Sequence, residues 1–149
     1  MITLEWVTME NYLELVPALA PLRDNFKKKA KSNLRTKDIQ NGMLRTLVDP
    51  NFKVLVARNE EKLIGYSIIQ IGENPPWLPR TVKLLQGYCT PGYPEATDIG
   101  LIEIERFARE IGAARIIGET KRFGSLHGFQ KRLHLAPMTA CVVKDLTKE

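Results

Sequence analysis

Histidine and cysteine are scarce in this sequence, at two residues each among 149. Cys89 and Cys141 lie far apart in apolar, strand-like runs, with no CxxC pair and no cysteine–histidine cluster. That spacing excludes the usual zinc frameworks and reads as two buried free thiols, so no metal is expected. Long apolar runs are missing too, since none nears the ~20 residues that cross a bilayer. The opening residues, MITLEWVTMENY, carry acids early and no basic flank before an apolar block, which is not a secretory pattern. The expectation is a cytoplasmic protein without a membrane partner. An apolar fraction of 44% and a charged fraction of 26% are those of an ordinary globular chain. The length suits one domain, residues 1–149, with a core of its own.

Acids are absent from one stretch. FKKKAKSNLRTK, residues 26–37, carries Lys27, Lys28, Lys29, Lys31, Arg35 and Lys37 and no carboxylate, within a chain of net charge +5. Such a segment attracts an acidic partner or an anionic ligand; equally, it is a solvated helix end whose lysines complement the dipole. The lack of aromatic residues between the cations argues against nucleic acid.

What is present has a clear order. ITLEWV, residues 2–7, alternates as a strand. Leu15, Leu19, Leu22 and Phe26 recur at helical spacing from a start at Glu10 or Asn11, but Pro17 and Pro21 demand a kink or a later start. Thr36 to Val48 reads as a second helix, capped by Thr36 and stopped at Asp49-Pro50. KVLVAR and LIGYSIIQI, joined by NEEK, form a hairpin. GENPPWLPR, residues 72–80, holds three prolines and is a connector. TVKLLQGYC is a strand, and the helix after it lines Leu101, Ile104, Ala108 and Ile111 along one face before Gly112 ends it. ARIIGET is a strand, SLHGFQKRLH a short helix, and MTACVVKDL the last strand. Alternation of this kind predicts a mixed α/β or α+β fold.

With these residues the order resembles the GNAT superfamily of acyl-CoA-dependent N-acyltransferases. VLVARNEEKLIGYSII is similar to the family's second and third strands, IEIERFAREIGAARI to its central helix and fifth strand, and FQKRLHL to its C-terminal signature. The resemblance implies a mostly antiparallel sheet with a splayed parallel pair and helices on both faces. It implies acetyl-CoA as cosubstrate and a small-molecule or protein amine as acceptor. It puts cofactor contacts at Tyr88, Cys89, Gly92, Tyr93, Glu95, Ala96, Thr97 and Gln130, and proton transfer at His127 with Ser125 nearby. The acids nearest the implied cleft are Glu73 and Glu119, and Trp77 lies on the connector beside it.

Three positions depart from the family's pattern. The pyrophosphate loop falls on GYPEAT, residues 92–97, where Pro94 has no N–H to give and Glu95 brings an anion. Capping accounts for the same residues: Gly92 for the turn, Pro94 for the first helical position, Glu95 for the dipole. Gln130 stands where the family often has a tyrosine acid, and an amide cannot protonate a thiolate; His127, three residues earlier, is the substitute. Phe123 stands where an asparagine is common, with Lys121 and Arg122 beside it, and His134 takes a usual glycine position. Two functions follow from the resemblance: an N-acetyltransferase, or a GNAT-fold binding or assembly module that has given up catalysis, of the kind found among bacteriophage virion and accessory proteins.

Overall fold

The computed structural model describes residues 1–30, 36–72 and 80–118, all within one compact unit, Met1–Glu119. In chain order the elements are β1 (Ile2–Trp6), α1 (Tyr12–Ala18), α2 (Ala20–Ala30), α3 (Thr36–Arg45), β2 (Phe52–Asn59), β3 (Lys62–Gly72), β4 (Thr81–Cys89), α4 (Pro94–Glu110) and β5 (Arg115–Gly118). The strands form one sheet in sequence order. The first three pairings are antiparallel and β4–β5 is parallel, with α4 as the crossover.

The prolines decide how the first helical run breaks. Pro17 and Pro21 cannot donate to the carbonyls four residues back. The chain therefore interrupts at Leu19, whose N–H turns back to Leu15 O at 3.1 Å and Val16 O at 3.3 Å. Pro21 becomes the second residue of α2, where no donor is required. The next helix is shorter than its pattern: α3 ends at Arg45, and Thr46, Leu47 and Val48 tighten into i→i−3 bonds. The Thr46 hydroxyl also donates to Met43 O at 2.6 Å.

Alternation along β2 builds a core on each side of the sheet. Val54 and Val56, with Tyr66, pack on Leu15, Val16, Leu19 and Leu22 of the helical run and Met43 of α3. Leu55, with Ile69 and Val82, packs on Ile104 and Ala108 of α4. Helices thus cover both faces, and the sheet is mostly antiparallel with one parallel pair. A Schellman motif closes α4, as the sequence requires of Gly112: its φ is 74°, its N–H reaches Arg109 O at 3.1 Å, and the Ala113 N–H reaches Ala108 O at 2.9 Å.

Candidate active site

β4 carries an irregularity at its centre. Ile68 faces Gln86 and Ile69 faces Leu84, so Leu85 is an extra residue in β4. The bulge inverts the alternation of the strand. Before it, Leu84 packs with the α4-side core; after it, Tyr88 packs with the α1–α3 side. Parallel pairing with β5 runs from Thr81↔Arg115 to Leu84↔Gly118, so the bulge begins one residue past the last described pair. Residues 85–89 keep β3 on one side and, among the described residues, have no strand on the other. Leu85 is 43% exposed.

The end of β4 is held tightly. The Thr90 N–H donates to Ile64 O at 2.7 Å. A Cβ on Gly65 would stand 2.9 Å from Tyr88 O, so glycine is what lets β3 approach β4 here. Gly92 then turns the chain at φ 99°, Tyr93 occupies the N-cap without a side-chain cap bond, and Pro94 begins α4. The Ala96 N–H is given to Tyr93 O at 3.1 Å, and the Ala96 methyl is buried with Ala57 and Ile64. Cys89 and Tyr93 pack on that cluster, with the Cys89 sulfur 3.5 Å from Thr90 O and 3.6 Å from Tyr93 O. Of the first three helical residues, Pro94 has no N–H and Ala96 has spent its own, which leaves Glu95 as donor. The Glu95 carboxylate is exposed in the same turn, at the positive end of the helix dipole.

No protein-family model matches the sequence, and no curated protein matches it. Solved structures do match over nearly the whole chain. A GNAT family acetyltransferase from Staphylococcus aureus aligns at 14% identity with a TM-score of 0.73, covering 97% of this chain and 98% of its own. A ribosomal-protein-alanine N-acetyltransferase from Brucella melitensis aligns at 14% identity and a TM-score of 0.73, over 97% and 99%. The aminoglycoside N-acetyltransferase AAC(6')-Iy in complex with CoA aligns at 10% identity and a TM-score of 0.78, over 97% and 94%. The chain has the GNAT acetyltransferase fold.

Within this GNAT fold, Tyr88, Cys89, Gly92, Tyr93, Glu95, Ala96 and Thr97 come together at one strand end and one helical turn. Ser125, His127 and Gln130 lie outside the described residues, as do Glu73, Trp77, Glu119, Lys121, Arg122, Phe123 and His134. Of the basic segment, Lys28 is exposed on α2. Among the described residues no group of three or more His, Cys, Asp or Glu could hold a metal ion, and none of their helices is long and apolar enough to cross a membrane. Sequence patterning overlooked the bulge, although its trace is there: V-K-L alternates, and Leu85 breaks the phase before Q-G-Y.

The body of α4 is fastened to the first strand. The Trp6 indole N–H donates to Glu103 Oε1 at 3.0 Å, and Arg106 donates to both oxygens of the same carboxylate, at 2.7 and 2.9 Å. Arg106 also reaches Glu110 at 2.6 Å. The hydrogen bonds from Arg106, joined by the one from Trp6, hold the Glu103 carboxyl below its usual range against the opposing effect of burial.

Proposed function

We propose that this chain is an N-acetyltransferase that moves an acetyl group from acetyl-CoA to an amine acceptor. One observation carries the reading: β4, bulged at Leu85, runs through the turn at Gly92 directly into the N-terminus of α4, a place suited to an anionic group. The fold neighbours support it, since they are acetyltransferases and one of them is a CoA complex.

The backbone of β4 at Tyr88 and Cys89 is our candidate for the amide groups of a pantetheine arm, and the turn of Gly92, Tyr93, Glu95, Ala96 and Thr97 for a pyrophosphate, with the Glu95 N–H as donor. Pro94 and the Glu95 carboxylate weaken that second contact. Acetyl-CoA, when bound, supplies an acetyl group activated as a thioester. The chain must then deliver a neutral amine and manage its proton. His127, assisted by Ser125, is our candidate for that proton, and the Gln130 amide for a hydrogen bond to the thioester sulfur. The basic segment from Lys27 to Lys37 favours an acceptor or partner of negative charge.

Pro94 and Glu95 favour a second reading, a GNAT-fold binding module without turnover. Thermal denaturation with CoA and acetyl-CoA tests the cofactor site: saturation at a hundredfold over Kd adds about 2.7 kcal/mol. No shift with either ligand would remove the enzyme reading. A shift without thiol release, across acceptors that include an aminoglycoside and an alanine-terminated peptide, favours the binding module. Thiol release that falls with His127→Ala supports the enzyme.

A further inference from the structure

A guanidinium buried in an apolar core is costly unless its donors are met. Arg23 of α2 is 1% exposed. Its Nη1 donates to Val16 O at 2.8 Å and lies 3.5 Å from the Met43 sulfur, so neither contact is to a carboxylate. Its Nε is buried without a hydrogen-bond partner among the described residues, and so is the hydroxyl of Tyr66 on β3. Tyr66 sits in the core formed by Leu15, Val16, Leu19, Met43 and Val56, directly across from Tyr88. The Arg23 charge and the Tyr66 phenol interact through space, with Asp24 as a further electrostatic neighbour.

Arginine offers donors only, and a phenol that lacks an acceptor has one more to give. Two buried donors without a hydrogen-bond partner among the described residues call for an acceptor, and a fixed positive charge selects a negative one. We infer that Arg23 and Tyr66 form a receptor for one small anion, a carboxylate or a halide, at the break between α1 and α2. The site lies on the α1–α3 face of the sheet, opposite α4, and does not depend on the acetyltransferase reading.

The test is thermal denaturation of the full chain in sodium formate and in sodium bromide, for wild type, Arg23→Met and Tyr66→Phe. The general effect of each salt is common to all three proteins, so the difference between them is what is read. Wild type is expected to gain an extra, saturable rise of about 2–4 °C at roughly tenfold over Kd. Arg23→Met should abolish that rise and Tyr66→Phe should reduce it. A response to formate alone assigns the site to the carboxylate of a larger ligand; a response to both salts assigns it to a free anion. Equal shifts in wild type and variants, with either salt, would show that these donors meet only water and overturn the proposal. Tyr66→Phe removes a single oxygen, so the comparison stands even if Arg23→Met does not fold.

Discussion

Trp6 and Glu103 are 97 positions apart in sequence and joined by one hydrogen bond of 3.0 Å. The Trp6 ring also lies 5.1 Å from that of Phe107, one turn further along α4, and the Lys53 ammonium stands 5.6 Å from the centroid of the Phe107 ring. β1 thereby grips the helix whose first turn closes the candidate site at the end of β4.

This grip has a pH signature. The Glu103 carboxyl is held below its usual range, first by Arg106 and then by Trp6. A group depressed in the folded state stabilises above its unfolded pKa and loses that contribution as pH falls through the folded value. Glu103→Gln keeps an acceptor for Trp6 and removes the charge. The melting temperature of the variant should lie below that of wild type at pH 7, and the gap should begin to shrink as pH falls through about 4, the ordinary glutamate value, and close only below it. A gap independent of pH would count against the charge as its source.

Glycine substitutions should differ in sign by position. Gly92 and Gly112 have φ of 99° and 74°, and a Cβ on either would meet nothing within 4 Å. Alanine there pays only for left-handed backbone, about 1 kcal/mol each. Gly100 lies inside α4 with equally open surroundings. Gly100→Ala should therefore stabilise by about 0.5–1 kcal/mol. Urea denaturation of the three variants checks the contrast.

Gly65→Ala should be the costliest glycine change in the sheet. The added carbon would stand 2.9 Å from Tyr88 O, a backbone atom that cannot rotate away. A loss of about 1–3 kcal/mol is expected, as for other overpacked sites. Gly87→Ala, whose nearest contact would be the Ser67 hydroxyl at an ordinary 3.7 Å, is the control. Under the acetyltransferase reading Gly65→Ala should also weaken CoA binding, because the strand it displaces is the one proposed to hold the cosubstrate. Unchanged affinity would sever that strand from the site.

The legible part of this fold is local chemistry. The bounds of β4 and the capping roles of Gly92, Pro94 and Gly112 follow from residues whose backbone options are few. The split at Leu19 was implied by Pro17 and Pro21, but its position rests on which carbonyls Leu19 and Arg23 could reach in three dimensions. The site was harder. Patterning located the turn at residues 92–97 through the GNAT resemblance, yet the bulge in the strand before it shows in sequence only as one break of alternation. Arg23 was invisible as a core residue, because charge in a lysine-rich neighbourhood reads as surface until the packing of Leu22, Met43 and Tyr66 is known.

Tyr66 supplies the remaining test. Burial pushes its phenol well above the usual tyrosine range, and the Arg23 charge offsets only part of that shift. The unfolded chain releases this proton near pH 10 while the folded chain retains it, so the native state holds more protons above that value. Stability from Tyr66 is thus complete below about pH 10 and drains away as pH rises. A spectrophotometric titration should show one of the four tyrosines ionising only as the fold is lost. Tyr66→Phe should remove that phase and make the decline of melting temperature above pH 10 shallower. At pH 7, in buffer free of small anions, the same variant should cost little, because the hydroxyl it deletes is buried without a partner among the described residues. A large loss at neutral pH under those conditions would mean that the Tyr66 hydroxyl is bonded in solution to a group of this chain.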